Sequence, residues 1–356
     1  MSVLARIKRK VARTIAAVVP PPGPAPVSEA ELTAAYRVLS GDGASPARVA
    51  ALCREHARAG WSAQGVFLNL LIQPEVSENL NSAEIARAMY ESRAVLPLPT
   101  AFGAVVYAYP CDRFVYGAIK RTGAWEPHVE AFLRRWCPPG SVAVDVGANC
   151  GYFSGLLCSL AGPTGAVHAF EPAPHLIAAL ERTRDANGFG HLHIHRAAAG
   201  EARAASVTFH IDLINGGGNQ VATGAAGAPA PERFLVGECP VVTLDEELKG
   251  RARRVAVMKV DVEGYELSVF RGARDLVRRD RPAICFEFAP GYMASKGADP
   301  TELVQLLLDA GYEFAFHDRP APAGLSAAAL CALVSREYGW TEVFATPRPF
   351  SFSGRE

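Results

Sequence analysis

The sequence has no surplus of either charge: its 356 residues carry 36 Lys and Arg against 36 Asp and Glu. A chain without excess positive charge has nothing with which to displace counterions from phosphates, which argues against a nucleic-acid partner. Long hydrophobic runs are missing too, since no stretch reaches the ~18 uncharged apolar residues of a membrane-spanning helix. C-x-x-C pairs are absent. The eight cysteines (Cys53, Cys111, Cys137, Cys150, Cys158, Cys239, Cys285 and Cys331) sit mostly in apolar runs such as A-I-C-F-E-F. They read as reduced core thiols of a cytosolic protein rather than as disulfides or a zinc knot. With 20% charged and 49% apolar residues the chain is too apolar for disorder, and at ~100–200 residues per domain its length predicts two folded units.

What is present begins with a basic amphipathic helix. Leu4, Ile7, Val11, Ile15 and Val18 share one face over residues 3–19, while Arg6, Lys8, Arg9, Lys10 and Arg13 lie largely on the other. Its apolar stretch Thr14 to Val19 is too short for a signal-peptide core. The helix therefore either docks on its own protein or lies peripherally on the inner membrane surface. The run Pro20 to Pro26 is a stiff spacer, so the first boundary falls after residue 26. Residues 27–95 read as a helical accessory domain with no strand signal; Ser28 and Ser45 are candidate caps and G-D-G a break. Two of its segments, A-Y-R-V-L-S-G-D and A-G-W-S-A-Q-G-V-F-L-N-L-L-I-Q-P-E, resemble a small bacterial helical module of unknown function that recurs beside surface-glycan enzymes.

From about residue 96 to 356 the texture is α/β. F-G-A-V-V-Y-A-Y and the stretch Cys111 to Lys120 read as two short strands or a strand and a turn, and W-E-P-H-V-E-A-F-L-R-R-W-C as a helix. Apolar strands are expected at Val142–Val146, Ala166–Phe170, His191–His195, Val255–Val260, Ala283–Phe288, Tyr312–Phe316 and Thr341–Ala345. Helices are expected at Tyr152–Leu160, His175–Asn187, Tyr265–Arg278 and Thr301–Ala310. Buried strands alternating with helices of this length predict a doubly wound, mostly parallel sheet with its ligand at the carboxyl ends of the strands. A Gly-rich insertion, Asn215 to Pro231, interrupts the alternation between strands Ala205–Ile211 and Phe234–Val242; it is either a solvent loop or a backbone-rich lid.

The chemistry-bearing signals sit at strand ends. V-A-V-D-V-G-A-N-C-G-Y-F-S places Asp145, Gly147, Asn149 and Gly151 in a D-x-G-x-N-x-G pattern at the first strand-to-helix turn, where glycines allow a tight turn and Asn tolerates positive φ. A dinucleotide fingerprint would require glycine at position 152, which is Tyr152. An acid just before the first glycine suits a cofactor with cationic groups better than a pyrophosphate. The second strand ends in A-F-E-P, with Glu171 24 residues after Gly147, where a carboxylate accepts both hydroxyls of a ribose.

These segments, together with V-M-K-V-D-V-E-G-Y-E-L-S-V-F-R-G-A, G-A-W-E from Gly123 to Glu126 and P-x-I-x-x-E from Pro282 to Glu287, resemble the FkbM-type family of S-adenosylmethionine-dependent methyltransferases. The resemblance spans about Phe102 to Arg348. It implies a class I methyltransferase fold, a Rossmann-like doubly wound sheet of seven strands with the last antiparallel, here behind a small all-α domain. Carried over residue by residue, it implies that Glu126, Asp145, Gly147, Ala148, Asn149, Gly151, Tyr152, Glu171, Pro172 and Asp261 hold S-adenosylmethionine. R-A-A-A-G-E after the third strand lacks the acid that many methyltransferases place beside adenine, so adenine would be held by backbone groups around Ala198 and by packing. Trp125 and Glu126 either close over the cofactor or merely start a helix.

Methyl transfer to a hydroxyl needs alignment and a proton acceptor. Asp261 ends the fourth strand and Glu287 the fifth, and adjacent strands lie ~4.8 Å apart, so the two can reach one proton or one cation. Asp261 is then a general base, or Asp261 and Glu287 hold a Mg²⁺ that lowers the hydroxyl's pKa. The direct base is preferred, since no ligand set is visible beyond these carboxylates. Lys259, on the face of Asp261, steadies a developing alkoxide or pairs with a carboxylate. Glu263 and Glu266 belong to the site or simply favour a helix N-terminus. His191, His193 and His195 alternate like a metal comb but read as solvent-facing. The leading expectation is O-methylation of a glycan, a sugar or a natural product, with nothing in residues 215–231 that selects among them. Nucleobase N-methylation would call for [DN]-P-P-[YF] where the sequence has D-V-E-G. A noncatalytic cofactor-binding scaffold for a glycan-assembly partner is the alternative from another class.

Overall fold

The computed structural model describes residues 95–347 apart from 110–111, 113, 214, 216–217, 223–233 and 251–252, together with residues 51 and 54, which are helical. The basic helix expected over residues 3–19, the proline spacer and, those few positions aside, the helical domain expected over 27–95 lie outside the described residues.

An antiparallel ribbon of β1 (Leu96–Pro99) and β2 (Val105–Ala108) is followed by α1 (Val115–Thr122) and α2 (Pro127–Trp136). Helix α1 replaces the strand or turn expected over 111–120. The reason is local: Asp112 Oδ1 accepts the N–H groups of Phe114 and Val115, while Val115, Tyr116 and Ile119 share one buried face.

The remaining elements alternate. They run β3 (Val142–Val146), α3 (Tyr152–Ala161), β4 (Ala166–Phe170), α4 (Pro174–Ala186) and β5 (Leu192–His195). An inserted sheet then interposes β6 (Ala198–Ala199), β7 (Ala204–Asp212), β8 (Gln220–Val221) and β9 (Phe234–Val242) before α5 (Leu244–Glu247). The main sheet resumes with β10 (Val255–Val260), α6 (Glu266–Arg271), α7 (Arg274–Asp280), β11 (Ala283–Phe288), α8 (Pro290–Ser295), α9 (Pro300–Asp309), β12 (Glu313–Ala315), α10 (Ala327–Glu337) and β13 (Thr341–Thr346). The single helix expected over 265–278 is broken. Gly272 lies so close to the backbone of Gly200 that a Cβ would come within 1.9 Å of its carbonyl oxygen, and the chain turns there between α6 and α7.

The seven-stranded sheet has the order β12-β13-β11-β10-β3-β4-β5, with β3, β4, β5, β10 and β11 parallel and β13 antiparallel to both neighbours. This is the class I methyltransferase fold, with the last strand reversed as expected. The period of two in each strand divides the core. Ala143, Val167, Val257, Cys285 and Phe344 pack under α1 to α4, whereas Val144, Phe170, Met258, Phe286 and Val343 pack under α6, α7, α9 and α10. The six cysteines among the described residues are free and buried. No helix among the described residues is long and apolar enough to cross a membrane.

Candidate active site

A cavity of about 380 Å³ opens at the carboxyl ends of β3, β4 and β10, roofed by the inserted sheet. Its volume falls within the roughly 300–1,000 Å³ of small-molecule sites. The loop from β3 to α3 forms its floor with Gly147 (φ +78°), Asn149 (φ +52°) and Gly151 (φ +88°) all left-handed, as the D-x-G-x-N-x-G pattern requires. The glycines make room for the protein itself: a Cβ on Gly147 would sit 1.8 Å from the Asp261 carbonyl oxygen, and one on Gly151 2.3 Å from Leu180 Cδ1. The loop spends its N–H groups internally. Gly147 and Ala148 donate to the Phe170 carbonyl, Asn149 to Glu171 Oε2, Cys150 to Asn149 Oδ1 and Gly151 to the Ala148 carbonyl. No donor among these five remains for a phosphate group.

Glu171 is buried beside the loop, with Oε2 on the Asn149 N–H (2.8 Å) and Oε1 on the Ala173 N–H (2.8 Å). Burial pushes its carboxyl up to about 7 against the pull of those two N–H groups. Glu126, Ala148, Tyr152, Pro172, Ala198 and Asp261 also line the cavity. Asp145 does not. It is fully buried under the floor, accepting from Ser154 Oγ at 2.6 Å and facing Lys259 from the adjacent strand, where the two are Cα partners.

Charge concentrates at the end away from Glu171. Lys259 is buried, its ammonium 3.0 Å from Asp261 Oδ2 and 5.2 Å from the centre of the Phe153 ring. Burial draws its pKa down, but Asp261, Asp145 and Glu126 together raise it further than burial lowers it. Lys259 is the only cationic side chain among the described lining residues, against Glu126, Glu171, Asp261, Glu263 and Glu287. The imbalance shows in the carboxyls themselves. Burial, and next the negative charge of Asp261, push Glu126 to about 8, Glu263 to about 8 and Glu287 to about 10.

Asp261, Glu263 and Glu287 bring one carboxylate oxygen each within 4.8 Å of one another. Glu263 and Glu266 part company: Glu266 is buried and accepts from Val262 N and Gly264 N, tying off the turn before α6, whereas Glu263 (φ +54°) faces the cavity. Trp125 and Glu126 line the cavity ahead of α2, with Glu126 left-handed (φ +45°). Tyr152 donates its hydroxyl to Glu130 of α2. At the rim, Phe114 and Trp340 are both more than half exposed, and from the insertion Asn215 and Asn219 reach in. The amide nitrogen of Asn219 is buried there without a hydrogen-bond partner. Sequence reasoning did not identify the rim aromatics or these amides, which carry no local signal.

Of the three histidines only His193 faces solvent as expected. His193 is exposed but stacks on buried His168 of β4 (4.7 Å), and half-buried His195 bonds His168 through ring nitrogens 3.1 Å apart and stacks on Phe170. Packing against His168, which sequence reasoning overlooked, draws His195 in from the surface.

Residues 145–314 match the family model "Methyltransferase FkbM domain". Over 163 residues the chain is 32% identical to 31-O-demethyl-FK506 methyltransferase FkbM of Streptomyces tacrolimicus, covering 38% of this chain and 61% of that protein. Among solved structures, the methyltransferase FkbM of Methylobacillus flagellatus aligns at 15% identity and TM-score 0.36, covering 88% of this chain and 58% of that one. Aeropyrum pernix fibrillarin, solved with natively bound S-adenosyl-L-methionine, aligns at 12% identity and TM-score 0.33, covering 61% and 73%. The chain thus spans about three fifths of the length of the first relatives it matches.

Proposed function

We propose, from the FkbM-family methyltransferase domain that this chain contains, that the cavity binds S-adenosylmethionine and that the protein methylates a hydroxyl of a glycan, a sugar or a natural product. One observation carries the reading: among the described residues a buried cluster of carboxylates faces a single lysine. Such a cluster is short of positive charge, which a sulfonium with its ammonium group would bring. The floor supports the same choice, since a loop without spare N–H groups offers nothing to a diphosphate, while each oxygen of Glu171 keeps a lone pair for a ribose hydroxyl. Ala198 and its neighbours supply the packing for a base.

When bound, the cofactor supplies an electrophilic methyl group on sulfur. The protein's share is placement and proton removal. Asp261, held by the Lys259 ammonium and more open than its neighbours, takes the hydroxyl's proton. Lys259 keeps Asp261 in place and offsets the charge of a developing alkoxide, while Asp145 keeps Lys259 charged from below. No metal is assigned to this reaction, so exhaustive chelation should leave transfer unchanged.

Calorimetry with S-adenosylmethionine tests the first part. Micromolar binding that is lost in Glu171→Ala is expected, and no heat of binding to the intact protein would end the reading. Labelled cofactor incubated with a lysate of the source organism tests the second: the label should appear in a hydroxyl-bearing product as a base-stable ether.

A further inference from the structure

Behind Asp261 lies a second, much smaller cavity of about 20 Å³, bordered by Glu126, Lys259, Asp261, Glu287 and Glu342. A buried water needs roughly 10–15 Å³ and two to four polar partners, and this space offers five charged side chains. Glu342 belongs to β13, where it is the Cα partner of Glu287, so the antiparallel pairing of the last strand places it at the back of the carboxylate cluster. Its Oε2 lies 2.8 Å from Nε2 of His128 on α2, and His128 is about one third exposed. A continuous set of polar groups therefore runs from the active cavity, through the small one, to the partly exposed ring of His128.

We propose that one buried water links the His128–Glu342 pair to Glu126, and that this pair governs from behind how readily Glu126 receives a cationic ligand. The proposal rests on the cofactor reading above for its assay. Glu126 faces Asp261 and Lys259 from β10, Glu287 from β11, Glu342 from β13 and His128 from α2, with His317 packed beside His128. Among these, Glu342 and His128 act on it with opposite signs: the negative charge of Glu342 favours its protonated form and the positive charge of His128 its ionised form. The hydrogen bond to Glu342 holds His128 charged to higher pH than a free imidazole, and the same bond keeps Glu342 ionised although it is largely buried. Where both groups are ionised the pair is a dipole whose negative end borders the water site. Neither residue reaches the mouth, so both are positioning residues rather than groups that touch the substrate.

The experiment counts protons released per S-adenosylmethionine bound, by calorimetry in buffers of different ionisation enthalpy across pH 6–9, in the full chain and in Glu342→Gln, Glu342→Asp and His128→Gln. The pH at which release falls to half should drop in Glu342→Gln by on the order of one unit, tenfold in the carboxyl's affinity for its proton. It should rise in His128→Gln and return towards the parent value in Glu342→Asp. A purely structural role would lower the thermal midpoint without moving the two variants in opposite directions. Half-points unchanged in both, or moved the same way, would overturn the proposal. So would a high-resolution crystal structure with the small cavity dry. If the parent protein binds no S-adenosylmethionine, the cofactor reading fails instead, and the crystallographic water alone decides this one.

Discussion

Between pH 5.5 and 7.5 the affinity for S-adenosylmethionine should rise about 75-fold, with Glu126 responsible for most of the rise. A cation beside Glu126 calls for its carboxylate, yet burial and Asp261 push that carboxyl up to about 8. Far below its pKa the ionised fraction grows nearly tenfold per unit, from about 0.3% at pH 5.5 to about 24% at pH 7.5, a ratio worth about 2.6 kcal/mol. The window stays below the ~7.7–8.0 at which the cofactor's own α-amino group loses its proton. Calorimetry should therefore show a log-affinity slope near one, with about one proton released per cofactor bound. A slope above one would mean that Glu263, also at about 8, ionises as well. In Glu126→Gln the slope should fall by one. An affinity changing less than about threefold across the window, or a parent-like slope in Glu126→Gln, would refute the reasoning.

Three further outcomes are expected. The ligand-free protein should lose stability as pH rises from about 5 to 8: the folded-state carboxyls of Glu126, Glu171, Glu263 and Glu266 sit at about 7 to 8, so the unfolded chain gives up their protons first. Urea unfolding at pH 5.5 and 8.5 checks the sign, and saturating cofactor should narrow the gap. Lys259→Met would strand Asp145, fully buried, without its counter-charge, costing about 3–5 kcal/mol in a denaturant titration. Gly147→Ala places a methyl 1.8 Å from the Asp261 carbonyl oxygen on a left-handed backbone; the thermal midpoint should drop and cofactor binding vanish, whereas Ala148→Gly should leave folding intact.

The strands of the sheet were readable because most are short, largely buried apolar runs, and the loop was readable because left-handed backbone selects Gly and Asn. What escaped depends on distant partners. The break at Gly272 exists because Gly200, far back in the chain, presses its carbonyl there. His128 and Glu342 stand 214 residues apart and meet only through the reversed last strand. Helix α10, an alanine-rich stretch capped by the Ser326 hydroxyl, was not expected from the sequence, although its buried Ala327, Leu330, Cys331 and Val334 keep helical spacing. Asp145 illustrates a subtler limit: its spacing identifies the loop, but only the register of β3 against β10 shows that it faces a lysine rather than the cavity.

The contact between Gly200 and Gly272 has a further meaning. It clamps the root of the inserted sheet to the turn between α6 and α7, and β6 adds its own pairing to β9. The roof over the cavity is accordingly held at its base by that joint and on β8 by Gln220, whose side-chain oxygen accepts from Tyr292 of α8 and from Lys296 just after it. A hairpin grafted in place of residues 204–242 would have to keep the Gln220 contact and the buried Phe209, Ile211, Val221 and Cys239 for the floor, the lysine and its carboxylates to stay where they are. Both glycines must be kept in any such graft, because a single methyl at the joint would tilt the whole roof.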